Sequence, residues 1–462
     1  MGRLRSVNLR DLFPEKSFWK QVFYFSIPIA FQNLSSAILG IIDVSIISGL
    51  GESAVSAVSL ANQLFYIVSL VTFGIASGAS VYLARQYGEE NASGLRETFS
   101  LMASVSFAVN LLIMVLCIFF PKHAIGFFTD EPEPIAGGAL YLLITTPTFL
   151  LYSVSFSCVA FFRSVNCPKI PMVVTMISLS IKTILNFLLI YGVGFIPSMG
   201  VAGAALSTLI SRIVEMALYL ICMSLYKHKE YVFRFKDLAY CRPKSIGRFI
   251  GQTYPVILNE SLWGFGISAF NAIFGRMGNV EITVSAVSIA RQLENLGNAF
   301  FLGIGIGACV AISQTIGQKK YEEAKVQAKK YALASFYVGI GIMLLMLAIN
   351  VPYVRLCFSD LTAETQNLTI WLIGIYALYM PFRSLASTLI MGVMRAGGDS
   401  KKAMLCDVLP VYLWSLLLGW VLGIGFAWPV TVVLAVMLFK RFIKCALALH
   451  RVASGKWLMV EQ

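Results

Sequence analysis

Charge is what this sequence has least of. Asp, Glu, Lys and Arg supply 13% of its 462 residues, against about 25% in soluble domains. A water-facing globule of this length would need far more charge to cover its surface, so that class is excluded. His is nearly absent. His123, His228 and His450 fall in expected loops or at a helix end, which argues against a His-based metal site. The nine Cys are scattered, with no CxxC spacing and no Cys/His cluster. They read as small apolar residues, not as a zinc site or disulfide framework. Also missing are Gly-x-Ser-x-Gly, His-Glu-x-x-His, a paired catalytic Asp motif and a nucleotide-binding P-loop. The chain is therefore not expected to be an enzyme, to hydrolyse ATP or to carry a cofactor. Residues 1–20 are basic but meet no small-residue cleavage site, so no removable signal peptide is expected.

What the sequence has instead is apolar surface. Hydrophobic residues make up 58% of it, and runs such as 103–120, 172–189 (broken only by Lys182) and 332–348 recur throughout. About eighteen such residues suffice to cross a bilayer core. Hydropathy and breakers place spans near 22–49, 54–84, 98–120, 135–162, 170–192, 201–226, 249–275, 282–314, 328–350, 366–394, 403–425 and 427–450. The expected fold class is an all-α integral membrane protein of about twelve transmembrane helices.

Lys and Arg are distributed very unevenly over the two sides that these spans define. Twenty-nine fall on the side of both termini and the polar stretch 227–248, including Arg3, Arg5, Arg10, Lys440, Arg441 and Lys444. Only Lys122, Arg276 and Arg355 fall on the other. Both termini are thus expected in the cytoplasm, in a multi-pass protein of the plasma (inner) membrane. This asymmetry accounts for the net charge of +13. Anionic lipid heads are the expected partners, and nucleic acid is not.

The chain also repeats itself. Ala54-Val-Ser-Ala-Val-Ser-Leu-Ala-Asn-Gln-Leu64 matches Thr283-Val-Ser-Ala-Val-Ser-Ile-Ala-Arg-Gln-Leu293 at an offset of 229. The same offset pairs Gly74 with Gly303, Gly78 with Gly307 and Gly88 with Gly317. Arg163 and Met172 pair with Arg395 and Met404 at 232, and Pro28 with Pro255 at 227. Two six-helix bundles follow, 1–226 and 249–462, joined by a cytoplasmic linker at 227–248. An even number of helices per half makes the repeats parallel, with a substrate site between halves.

On these residues the chain resembles the multidrug and toxic compound extrusion (MATE) transporters, prokaryotic type. Ile42-Asp43-Val44 with Gly49-Leu50-Gly51 resembles their first-helix signature, and Gly200-Val-Ala-Gly-Ala-Ala-Leu-Ser-Thr208 the start of their sixth helix. Met394-Arg-Ala-Gly-Gly-Asp-Ser-Lys401 resembles a second-half loop, and Ser454-Gly-Lys-Trp457 the C-terminal tail. The resemblance implies two bundles and export of amphipathic, often cationic small molecules coupled to protons or sodium. Asp43 and Thr208 match the family's first-half cation site. Its Asn-x-x-x-Asp has become Lys182-Thr-Ile-Leu-Asn186, which removes the second carboxylate of a sodium site.

Ionisable residues inside spans cost about 2.5–3.5 kcal/mol each on insertion scales, so each calls for a reason. Asp43 lies roughly 9 Å and Lys182 roughly 15 Å below the outer helix ends. At similar depth they form either a structural ion pair or a proton-sensitive one. The carboxylate is the better proton carrier, because burial and a nearby cation act on it in opposite directions. Glu260 and Arg383 fall at one mid-membrane level, as a coupling or substrate pair or as a bridge between helices seven and ten. Asp407 reads as an interhelical hydrogen-bonding residue. Arg212/Glu215 and Arg291/Glu294 are spaced to neutralise each other along a helix, and the Gly pairs suit close helix packing. Expected cation-coupling residues are Asp43, Lys182, Asn186, Thr208 and Glu260. Expected substrate contacts are Asn33, Trp263, Arg383 and Asp407, with Tyr254, Phe265 and Phe300 as possible aromatic lining. The alternative is a lipid-linked precursor flippase of the same superfamily. It would need a strongly basic cavity, whereas the buried bases nearly match the acids. The chain is expected to act as a monomer.

Overall fold

A computed structural model describes residues 16–129, 131–192, 197–359 and 361–459. Arg3, Arg5 and Arg10 lie outside the described residues. The described chain is almost wholly helical, without a strand of more than a bridge. Twelve helical spans follow one another: α1 Lys16–Ser48, α2 Glu52–Gly88, α3 Ala92–Phe119, α4 Pro132–Thr145 with Pro147–Ser164, α5 Lys169–Tyr191 and α6 Gly200–Leu225. Then come α7 Pro243–Phe274, α8 Val280–Gly317, α9 Tyr321–Cys357, α10 Ala363–Leu378 with Met380–Met394, α11 Ser400–Gly425 and α12 Val430–Leu438 with Lys440–Ala453. Each coincides with an expected span. Eight are long and apolar enough to cross a membrane alone, and ten with the bent α4 and α10. α4 bends by 49° and α10 by 44°. Each bend falls where a Pro, 147 or 381, opens the following segment, because Pro has no N–H to continue the preceding turn.

Residues 31–261 form one compact unit, and the described residues up to Ala30 form another with those from Leu262 on. Compactness therefore cuts the chain inside α1 and α7, a few residues from Pro28 and Pro255, and not at the polar linker of the repeat. Each unit has its own apolar core. The first contains clusters around Phe162 and Tyr219, and around Phe149 and Ile125. The second centres on Phe301, Tyr376 and Met380.

The repeated glycines sit where these cores tolerate no side chain. A Cβ on Gly74 would lie 2.8 Å from the Ile257 backbone and one on Gly78 3.0 Å from Thr253, both on the first half of α7. In the other unit a Cβ on Gly303 would lie 2.6 Å from the Ser26 carbonyl oxygen, and one on Gly307 2.8 Å from Phe25. Close approach compensates with dispersion what a lipid-bathed helix cannot gain from water exclusion. Three charges counted on the cytoplasmic side belong to α12 itself, in the second unit. Arg441 is 6% exposed, and Lys440, Arg441 and Lys444 all sit on α12, eight or more residues before its end at Ala453.

Gly303→Ala must push α8 off α1 and should cost about 1–3 kcal/mol of stability. Gly341 on α9 has open space around its Cα, so Gly341→Ala should leave stability unchanged or slightly raised. Thermal unfolding in detergent compares the two. Equal behaviour would mean that the Gly303 contact is not tight.

Candidate functional site

In the first unit, α1, α2, α4, α5 and α6 surround a cavity of about 120 Å³ lined by both apolar and polar side chains. Asp43 comes from α1, Asn62 and Ser59 from α2, Tyr141 from α4, Lys182 and Asn186 from α5, and Thr208 from α6. The helical period explains the α5 pair: positions 182 and 186 are four apart and share a face. The Lys182 ammonium lies 2.6 Å from Oδ2 of Asp43, and the Asn186 amide donates to Oδ1 at 2.9 Å. The Thr183 hydroxyl lies 3.4 Å from the same Oδ1. Ser207 holds the Asn186 carbonyl oxygen. Tyr141 reaches Thr208 at 3.4 Å, and Thr208 donates to the Ala204 carbonyl at 3.0 Å. The Asp43 side chain is 9% accessible and that of Lys182 23%. The lysine is the more exposed member of the pair.

Four of the expected residues, Asp43, Lys182, Asn186 and Thr208, thus line one cavity. Glu260, on α7, is buried but does not line it. Neither does Asn33, which is half-buried on α1. Sequence reasoning passed over Asn62, Ser59, Tyr141 and Ser207. Neutral polar residues are common in membrane helices, and only the Asn62/Arg291 mismatch inside the repeat marked one of them.

The second unit departs from expectation in its charges. Arg383 pairs with Glu294, and Arg441 takes the same Glu294 oxygen. Equal depth fixes no azimuth, and Arg383 sits just past the bend of α10, which turns it towards α8 and α12. With Glu294 so occupied, Arg291 turns to the Asn271 carboxamide oxygen in place of its i+3 neighbour. Arg212 and Glu215 do pair as spaced, at 2.5 Å, with Phe65 and Tyr152 packed on the guanidinium. Asp407 bonds Lys444 at 2.5 Å, joining α11 to α12. Its expected interhelical role is thus met by an ion pair. The near balance of buried bases and acids does not hold in this unit, since Lys440, Arg441 and Lys444 add to the bases. Trp263 (37%), Tyr254 (41%), Phe300 (43%) and Phe265 (70%) are all exposed side chains.

A profile of the MatE family matches residues 28–188 and 255–421, one copy in each repeat. The chain belongs to the MatE family. The two copies begin at Pro28 and Pro255, which marks the duplication independently of the glycine register. This MatE chain is 23% identical over 448 residues to the probable multidrug resistance protein NorM of Thermotoga maritima, covering 95% of this chain and 93% of that one. It is 24% identical over 312 residues to the multidrug export protein MepA of Staphylococcus aureus, covering 67% of each. Among solved structures, the Vibrio cholerae MATE transporter VcmN superposes with a TM-score of 0.85 at 17% identity, covering 98% and 99%. The eukaryotic MATE transporter AtDTX14 gives 0.83 at 16%, covering 96% and 97%. The fold of this MatE protein is accordingly twelve transmembrane helices in two bundles.

Removing Lys182 would leave the Asp43 carboxylate buried without its cation. Lys182→Met should therefore destabilise by about 3–5 kcal/mol, the usual cost of breaking a buried pair. Adding Asp43→Asn to that variant should restore part of the loss. Chemical unfolding of both single variants and the double variant yields the coupling energy. Simple additivity would show that the pair contributes nothing as a pair.

Proposed function

We propose that this protein exports amphipathic, often cationic small molecules across the plasma (inner) membrane. It exchanges them for cations by alternating access of its halves, 1–226 and 249–462, and works as a monomer with both termini in the cytoplasm. The Asp43–Lys182 pair in the first-unit cavity carries the reading. Relatives of near full length whose names state multidrug resistance support the cargo class. Those names describe transporters and no catalytic activity.

The coupling ion is a proton. Both Asp43 oxygens face hydrogen donors, an ammonium on one side and an amide and a hydroxyl on the other. A sodium ion needs oxygen lone pairs and would meet an ammonium 2.6 Å from the carboxylate, so these residues do not fit it. Protonating Asp43 removes the charge opposite Lys182 and leaves a buried cation, a state the helices relieve by rearranging. An arrangement that exposes Lys182 to water and one that pairs it with Asp43 then differ by one proton. Glu260 is a second candidate for carrying charge. The flippase reading gains from the base excess in the second unit, but the first-unit cavity is built around an acid and does not suit a pyrophosphate.

Asp43→Asn, locked in the neutral form, should halt efflux of a cationic dye from proteoliposomes under an imposed pH gradient. Lys182→Asn should weaken transport or move its pH optimum. Efflux driven by sodium alone and dependent on Asp43 would sink the proton mechanism. In the same assay, Glu260→Gln either stops gradient-driven efflux or leaves folded protein active, and the second result removes Glu260 from coupling.

Topology has a separate check. Single cysteines at Lys236 and Glu131 should differ towards a membrane-impermeant thiol reagent applied outside intact cells, with only position 131 labelled. The reverse would invert the orientation.

A further inference from the structure

The repeat can be followed into the first-unit cavity. At the offsets already noted, Asp43 corresponds to Phe270, Asn62 to Arg291, Thr183 to Ser415 and Thr208 to Lys440. The geometry of the second unit agrees with that register. Arg291 and Lys440 both pack on the Phe270 ring, 5.4 and 5.3 Å from its centroid. Ser415 meets Lys440 at 3.1 Å. Where the first unit has an acid held by a lysine, the second has an aromatic ring between two cations.

These cations lack carboxylates. The partner of Arg291 is the Asn271 carboxamide and that of Lys440 the Ser415 hydroxyl, and among the described residues neither forms a salt bridge. Next to Lys440, Arg441 shares Glu294 with Arg383, and its buried Nη1 has no hydrogen-bond partner among the described residues. Lys444 uses Asp407. Five bases thus face two acids inside one apolar bundle. Ser415 is presented by a π-helical stretch, Pro410–Leu416, and such turns gather at functional sites. Arg441 is buried and Arg291 and Lys440 are half-buried. Partly desolvated cations without acids are costly, and an anion placed among them offsets the cost through charge-assisted hydrogen bonds.

We infer that the second unit binds a small anion, a carboxylate or an inorganic anion, between Arg291, Lys440 and Arg441, at the repeat counterpart of the Asp43 site. The planar guanidinium forks suit a carboxylate, and Phe270 offers apolar contact for whatever bears it. The site uses the opposite charge to its counterpart, so one chain presents an acid to cationic cargo and bases to anionic groups. It does not require the export reading, since binding precedes and is separable from transport.

The test is binding to the purified full chain in detergent, with sodium benzoate and sodium chloride as probes at constant ionic strength. Each probe is titrated against thermal unfolding. A saturable rise in melting temperature with at least one probe is expected. Lys440→Gln and Arg291→Gln should each weaken it at least tenfold, whereas Lys329→Gln, an exposed lysine on α9, should not. These two variants spare the Glu294 pair, so folding is retained. No saturable response, or one that both variants keep, overturns the inference. Efflux of an aromatic amine and of the same amine bearing a carboxylate then separates the sources. If the cargo supplies the anion, Lys440→Gln slows only the carboxylate compound. If it is a resident inorganic anion, both slow alike and chloride-free buffer reproduces the defect. Loss of export with binding intact would count against the transport reading alone.

Discussion

A charge surrounded by hydrocarbon must be matched nearby, and the helices of this protein are arranged around the few places where that happens. Asp43 and Lys182 close on each other at 2.6 Å, tying α1 to α5. Glu294 gathers Arg383 and Arg441, tying α8 to α10 and α12. Asp407 and Lys444 add a link from α11 to α12. Each link joins helices that apolar packing alone would leave free to rotate, since one leucine-covered face resembles another. In a bilayer there is no water-driven force to select among such faces. Polar pairs then select the azimuth, and glycine contacts set how near the backbones come.

The two units use this rule with different margins. In the first, two acids within the bundle each meet a base, Asp43 with Lys182 and Glu215 with Arg212, while Arg163 bonds the Gln32 carboxamide oxygen. In the second, bases outnumber acids, and amide, hydroxyl and aromatic groups hold the surplus. A duplicated fold has kept its backbone register while its two copies diverged in the sign of their buried charge.

Much of this was legible from residues alone. Hydropathy located all twelve spans because long apolar runs end at Gly, Pro or charged clusters. Depth counting brought Asp43 and Lys182 together because both helices run unbroken to clear ends at Gly49 and Gly192. The same counting did not find Glu294 as a partner of Arg383, whose helix bends a few residues earlier, since a level carries no information on direction around the axis. Lys440 and Arg441 counted as cytoplasmic-side charges, because two adjacent bases after an apolar run ordinarily mark a membrane exit. Arg441 is instead buried against Glu294, far earlier in the chain, and Lys440 bonds Ser415. The neutral groups Ser59, Tyr141 and Ser207 gave no signal, because a hydroxyl in a helix is equally at home bonded to its own backbone.

Because α1 and α7 are divided, the repeats cannot be cut apart cleanly. Each compact unit contains the leading half of the helix that opens the other's repeat, packed on Gly303 and Gly307 in one case and on Gly74 and Gly78 in the other. A fragment that ends at 226, or one that begins at 262, would leave its glycine pair facing an empty groove where a half-helix belongs, so a severed repeat is not an intact folding unit.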